Sequence, residues 1–426
     1  MLNNGNFTFF CRTNIGFGMN ALEHLPFDLS SMGSQKPLVL LDKRAFLGGC
    51  TKPLIRAFKE SKMTLGICPP IEQSSDTDGG KGSKREVEIL REFYQIYTDK
   101  GFDAIIALGT GRVVDMAKAL NIAVTLGPNA LRVPLKATRG TNHKITKPLG
   151  PFVYIPTGMG SGMETHTLAR FNNNTFTSHF LAPDLAVIDP DILIPNRLTD
   201  PNTLKMDASS PLIDAGLTCL SVCCEAHVLS GNPLARAYAA TGIGLIMENF
   251  LPLVKQLLAP TPLTRSDKKA IKDHQTRLTH ASVITGILLA NCTTLIGFQL
   301  GKQIAEQAGI SPGQAMAILL PAVLDRMADN RSDLGNLFHP LAGSEEFSRV
   351  PPSQRPGLAI QKIQGLLNEL YQISLGTLPR TLGDAGLDPA AIETLIQALF
   401  SEAPPGAGLH GIDPEQARTI LAERRP

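Results

Sequence analysis

The sequence predicts a two-domain α/β protein: a doubly wound, Rossmann-like parallel sheet over residues 1–200, then an all-α domain over residues 201–426. Three observations carry the prediction. At roughly 150 residues per domain, the prior for a chain of 426 residues is two domains or three. Its first half alternates short apolar runs with stretches of helical period. Past about residue 205 every periodic stretch is helical.

Taken in order, Pro37–Asp42 is an apolar run ending in an acid, as a buried parallel strand requires. Leu54–Lys62 reads as a helix, and Met63–Cys68 as a second strand closed by two prolines. Ser74–Lys84 is polar and glycine-rich, hence a loop. Glu86–Lys100 places Val87, Leu90, Tyr94 and Tyr97 at helical spacing. Asp103–Gly109 is a third strand, whose terminal glycine turn opens a helix to about Ala123. Phe152–Pro156 and Ala186–Asp189 add strands, and this β-α-β order predicts a doubly wound sheet. A proline- and asparagine-rich segment between Asp191 and Ser210 marks the boundary. Beyond it Ile213–Leu229, Pro233–Leu258, Asp267–Leu289, Phe298–Ala308, Gly313–Met327, Pro356–Tyr371, Asp388–Phe400 and Asp413–Glu423 read as helices.

Composition narrows the function classes. Hydrophobic residues make up 43% and charged residues 18%, with mean hydropathy +0.04, enough apolar content to bury sizeable cores. Lys plus Arg is 40 against 38 Asp plus Glu, so no basic footprint for nucleic acid is visible. Seven cysteines, with no basic and apolar leader pattern at the N-terminus, suit a cytoplasmic chain better than a disulfide framework. No run of about 18 apolar residues stands out. The richest stretch, Ala281–Leu300, is interrupted by Thr285, Asn291, Thr293, Thr294 and Gln299, and reads as a buried core helix. A small molecule is the expected partner, with neither nucleic acid nor membrane.

Two glycine-rich turns carry the chemistry. Gly109-Thr-Gly-Arg112, between a strand end and the helix containing Asp115 and Lys118, is a phosphate-cradle candidate. Its glycines allow close backbone approach, and the helix N-terminus offers unpaired N–H groups and a positive dipole end. The same residues also make an ordinary tight turn. Ile155-Pro-Thr157-Gly-Met-Gly160-Ser-Gly162-Met-Glu164 wraps a ligand, or merely connects. Cys219, Cys223, Cys224, Glu225 and His227 invite a metal reading, which small buried thiols explain better. No HExxH, GxSxG or GxxxxGK[ST] element is present.

In this order the motifs resemble those of the iron-containing (group III) alcohol dehydrogenases. Gly109–Lys118 resembles that family's GGGSxxDxAK, and Ile155–Glu164 its IPTTAGTGSE. Pro183–Pro190 is similar to PxLAVIDP, and Gly313–Pro321 to HGxxNAxLLP without the histidine. The resemblance implies a dehydroquinate synthase-like architecture, a dinucleotide-binding domain and a helical domain with the active site in the cleft between, and a homodimer. It also implies a metal held by one Asp and three His. The two positions in the VHGMAH- and PHG-type segments fall on Phe298 and Pro312. The other two fall on Thr218 and Val222 when anchored at Glu225, or on Asp207 and Pro211 when anchored at Asp189. At least three ligands are therefore missing, and no metal is expected. Phe298, Pro312, Val222 and Thr218 become expected pocket walls, with Ile287 and Leu288 adding apolar lining.

A further family histidine beside the substrate corresponds to Lys302, whose ammonium can polarise a carbonyl or donate a proton. The alternative is a solvated lysine. Asp42, Gly109, Thr110, Gly111, Arg112, Asp115, Thr157 and Gly160 are the cofactor-binding candidates, for NAD or NADP. Thr110 and Arg112 depart from the family's glycine and serine. Arg112 either clamps an anion or fills the pyrophosphate's space. The primary expectation is a metal-independent NAD(P)-dependent alcohol dehydrogenase or aldehyde reductase. The alternatives are a lyase, cyclase or isomerase that reuses the cleft, and a non-catalytic homologue.

Overall fold

The computed structural model describes residues 6–72, 81–131, 142–172, 174–193, 210–259, 263–292, 295–327, 331–401 and 413–422. The chain divides into two compact units, Cys11–Ile194 and a helical unit of Pro195–Pro426 together with Met1–Phe10. The sequence boundary near residue 200 assigned the N-terminal residues to the sheet domain, and this needs correction. Phe9 stacks on Tyr238 with ring centroids 5.5 Å apart, and the backbone of Phe10 exchanges two hydrogen bonds with the Asn291 side chain. An aromatic stack and a two-point amide contact outweigh sequence adjacency. The boundary segment itself, including Asp207, lies outside the described residues.

The first unit runs β1 (Asn14–Phe17), α1 (Leu25–Ser31), β2 (Pro37–Leu41), α2 (Lys43–Leu47), α3 (Thr51–Phe58), β3 (Gly66–Ile67), α4 (Lys81–Lys100), β4 (Ala104–Gly109) and α5 (Arg112–Leu126). It continues with β5 (Asn142–Lys144), β6 (Phe152–Pro156), β7 (Leu168–Phe171), β8 (Asn174–Thr177) and β9 (Leu185–Ile188). Six strands form one wholly parallel sheet in the order β1-β9-β6-β4-β2-β3, while β5, β8 and β7 make a small separate sheet. Every residue of β2, β4, β6 and β9 is buried. Alternate side chains feed two cores: Val39, Leu41, Ile106 and Ile155 face α1 and α3, whereas Leu38, Leu40, Ile105 and Phe152 face α4 and α5. A strand covered on both faces has to be apolar throughout, hence the continuous runs in the sequence.

Three expectations shift here. The strand expected over Met63–Cys68 is reduced to Gly66–Ile67, because β3 is an edge strand paired on one side only. Lys81–Lys84, expected in a loop, already belong to α4, and residues 74–80 lie outside the described residues. Strand β1 went unread because its residues are mostly exposed and show no apolar run.

The helical unit contains α6 (Pro211–Leu229), α7 (Pro233–Leu258), α8 (Arg265–Asn291), α9 (Ile296–Ala308), α10 (Pro312–Met327), α11 (Arg331–Ala342), α12 (Ser344–Arg349), α13 (Arg355–Ser374), α14 (Pro389–Ser401) and α15 (Pro414–Ala422). Helix α6 is apolar nearly all round and is its central element. Contrary to the sequence reading, α6 and α7 are each long and apolar enough to cross a membrane by length and composition alone. Of the apolar window in α6, 83% is buried inside the unit, against 50% for α7. Ala281–Leu300 is not one helix: α8 ends at Asn291 and α9 begins at Ile296.

Candidate functional site

In parallel α/β sheets, ligands bind beyond the carboxyl ends of the strands, where the connections reverse direction. Here β2 leads outward to β3 on one side, and β4 leads to β6 on the other. Their adjacent ends carry Asp42 and Gly109. Asp42 is 2% exposed; one carboxylate oxygen caps α2 by accepting from the Ala45 amide at 2.6 Å. The other accepts from the Thr110 amide at 2.9 Å. The carboxylate thus ties the end of β2 to the turn after β4.

That approach requires glycine. A Cβ on Gly109 would lie 2.3 Å from the Asp42 Oδ2, and its φ of +143° is one side chains rarely adopt. From the opposite side, Tyr154 donates its hydroxyl proton to the Gly109 carbonyl at 3.1 Å, and the Thr157 amide donates to the same oxygen at 3.4 Å. Three neighbouring strand ends are therefore stitched together at one residue. Helix α5 then starts at Arg112 behind Gly111, whose φ is +58° and whose Cβ direction is open. No side chain caps α5, so its first amides and positive dipole end face outward from the turn.

The remaining candidates have internal partners. Arg112 is ion-paired with Glu86 of α4 at 2.7 Å, so the charge expected to clamp an anion is already committed. Asp115 accepts from the Arg170 amide at 3.0 Å. Thr157 is buried, and Gly160 is half-buried in the second turn. Lys118, quoted above only as the last residue of a motif, has more consequence. It is 1% exposed, and its ammonium donates to the carbonyls of His166 and Leu168, each at 2.9 Å. Burial pushes its pKa down to about 8, opposed by the charges of Asp115 and Glu164. A lysine inside the apolar run Met116–Ala123, broken otherwise only by Asn121, was the available signal. Tyr154 was legible in the same way, as a hydroxyl inside a wholly buried strand. Glu86 gave no signal.

In the helical unit, Thr218 and Val222 lie buried on α6, Phe298 and Lys302 lie on α9, and Pro312 is the first residue of α10. The Lys302 ammonium sits 4.2 Å from the centroid of the Phe298 ring, a cation–π contact across one helical turn. Ile287 and Leu288 are core residues of α8. One hydroxyl, the methyls of valine, a phenyl ring and a proline do not fit an iron or zinc ion. Among the described residues no group of three or more His, Cys, Asp or Glu side chains is placed to hold a metal. Cys219, Cys223 and Cys224 are fully buried, and burial drives the thiols of Cys223 and Cys224 upward, as packed rather than reactive groups.

A wholly parallel sheet with a glycine turn at its switch point is joined in sequence to a helical unit. The model of the iron-containing alcohol dehydrogenase family matches residues 12–190. The probable alcohol dehydrogenase EutG of Salmonella typhimurium is 26% identical over 404 residues, covering 90% of this chain and 86% of that protein. The NAD-dependent methanol dehydrogenase of Bacillus methanolicus is 25% identical over 237 residues, 55% of this chain and 56% of its own length. This match spans only about half of that relative. Among solved structures, the NADH-dependent butanol dehydrogenase A of Thermotoga maritima aligns with a TM-score of 0.70 at 17% identity, covering 99% of both chains. A 1,3-propanediol oxidoreductase aligns at 0.73 and 17% identity, over 99% of this chain and 100% of its own. The match to the iron-containing alcohol dehydrogenase family covers residues 12–190, and the solved structures share the fold of the whole chain.

Proposed function

We propose that the protein interconverts a small alcohol and its carbonyl compound with NAD(H) or NADP(H) as hydride carrier, without a metal. The observation that carries this reading is the turn at the switch point. Glycines 109 and 111 and the uncapped start of α5 offer an anion-accepting backbone at the carboxyl edge of the sheet. The fit to a dinucleotide is good at that point. Each oxygen of Asp42 accepts one backbone proton and keeps a lone pair, suitable for a ribose hydroxyl and repulsive to a 2′-phosphate. NAD is therefore the preferred form. When bound, such a cofactor supplies the hydride.

The chain's own contribution to the chemistry is charge. Among the described residues no donor set suits a Lewis-acidic metal, and the Lys302 ammonium takes the task of polarising the substrate oxygen. Its Nζ hydrogen-bonds the carbonyl oxygen and delivers a proton as negative charge develops there. The Phe298 ring, 4.2 Å away, orients the ammonium and lines the approach with apolar surface.

Titration of the purified protein with NADH and NADPH, followed by fluorescence, tests the first half of this reading. Micromolar NADH binding, at least tenfold tighter than NADPH, is expected; binding of neither discards it. With a panel of short alcohols and aldehydes, Lys302→Ala is expected to keep NADH affinity within about twofold while turnover falls about 100-fold. Unchanged turnover removes Lys302 from the mechanism. Turnover that depends on stoichiometric iron or zinc removes the metal-free part.

A further inference from the structure

Glu225 is the least expected charge in the helical unit. It is 0% exposed, in the middle of apolar α6, where an uncompensated carboxylate is costly. Its compensation comes from another helix. Helix α9 has no side-chain cap of its own, since its N-cap residue is Leu295. Instead, the amide of Gly297 donates to Glu225 Oε2 at 2.9 Å, and the amides of Ile296 and Phe298 also bond to the carboxylate. These N–H groups are among those a helix start leaves unpaired. A Cβ on Gly297 would stand 2.4 Å from Oε1, so the close approach demands glycine. Oε1 itself is buried without a hydrogen-bond partner. Burial pushes the Glu225 pKa up to about 8 against the pull of these amides, so near neutral pH the side chain is held there largely protonated, and the arrangement has no slack.

The same face of α6 does this twice. Asp214 lies three turns before Glu225 and accepts from the Gly313 amide at 2.7 Å, at the start of α10. Between the two acids on that face lie Thr218 and Val222. Two carboxylates of one helix thus set the starts of α9 and α10, the elements that carry Phe298, Lys302 and Pro312. Helices α9 and α10 are also tightly apposed, because a Cβ on Gly301 would meet Met316 Cγ at 2.6 Å.

We propose that Glu225 is a positioning residue for Lys302, fixing through the first amides of α9 the turn from which Phe298 and Lys302 project. This rests on the reading that Lys302 meets the substrate. Lys302 lies a little over one turn beyond Gly297, and its ammonium is registered on the Phe298 ring. Release of the Ile296–Phe298 turn frees that ring and moves Nζ with it. A substrate oxygen needs the donor within hydrogen-bond distance, so a displacement of about 1 Å there is costly.

The test reads Lys302 directly and needs neither cofactor nor substrate. Lys302 is labelled with an amine-reactive anhydride and quantified by peptide mass spectrometry, alongside hydrogen exchange of the Ile296–Phe298 amides. Glu225→Ala is expected to speed exchange there about tenfold and to change the Lys302 labelling rate roughly threefold. Glu225→Gln, which keeps an acceptor of the same shape, is expected to return both toward wild type. Asp214→Asn, which touches α10 instead, should leave Lys302 labelling within about twofold. A folded Glu225→Ala protein with wild-type labelling overturns the proposal, and so does a Gln variant no better than Ala. Should Glu225→Ala not fold, Gly297→Ala pushes a methyl against the carboxylate and carries the same two expectations. Failure to bind NADH would sink the functional reading while leaving this measurement intact.

Discussion

Replacing Gly109 by alanine is expected to destabilise the Cys11–Ile194 unit by on the order of 3 kcal/mol and to abolish dinucleotide binding. The added methyl has nowhere to go. At φ +143° it would sit 2.3 Å from Asp42 Oδ2, 2.7 Å from the carboxyl carbon and 3.1 Å from Val113 Cγ1. Relief requires Asp42 to withdraw, and Asp42 holds both the Ala45 amide and the Thr110 amide. Losing it unravels the cap of α2 and the turn after β4 together. Gly111→Ala is the informative contrast. It strains a φ of +58° but meets nothing within 4 Å, so about 1 kcal/mol is expected. Urea unfolding of both variants, with NADH titration, checks the pair. Equal destabilisation would mean that backbone strain, and not the Asp42 contact, governs the turn. If the clash is the main cause, Gly109→Ala should cost less on an Asp42→Ala background than on wild type, because only the strained φ and the Val113 contact then remain.

The fold was largely legible in the sequence because its strands are buried on both faces. Pro37–Leu41, Ala104–Gly109 and Phe152–Pro156 are continuous apolar runs for that reason, and glycine turns mark where two of them stop. Edge position hid β1 and shortened β3, since a strand paired on one side need not be apolar. The N-terminal residues were misassigned because a stacking contact with Tyr238 leaves no local pattern. At the site, residue types were readable but their partners were not. Asp42 and Arg112 were singled out as charged groups by the turn, yet the Thr110 amide and Glu86 that engage them are far away in sequence. Glu225 was weighed as one member of a cysteine-rich cluster. Its actual partners, the amides of α9, lie on another helix, and a backbone N–H has no letter in the sequence. Acids that cap distant helices are invisible to spacing arguments for this reason.

Lys118 should be the most sensitive position in the α/β unit, with Lys118→Ala costing about 3–5 kcal/mol. Its ammonium is the shared partner of two main-chain carbonyls, those of His166 and Leu168, in the stretch that leads from the second glycine turn into β7. It also faces the charges of Asp115 and of the fully buried Glu164. Truncation removes the donor to those carbonyls and the positive charge that faces Glu164, a larger loss than the packing of four methylenes. Lys118→Met keeps the stem and removes only the charge. Combining it with Glu164→Gln should recover part of the loss, and a double-mutant cycle by chemical denaturation measures the coupling. The wild-type protein carries an independent signature of the same group. Burial lowers the lysine's pKa to about 8 from 10.5, so between those values the unfolded chain binds a proton that the folded chain has released. The contribution of Lys118 to stability therefore rises as pH increases from about 8 to 10.5 and is lost as pH falls back through 8. In Lys118→Met that rise is absent. A variant that retains the wild-type slope across this window would show that Lys118 keeps its ordinary pKa, and that the two carbonyls and Glu164 offset its burial completely.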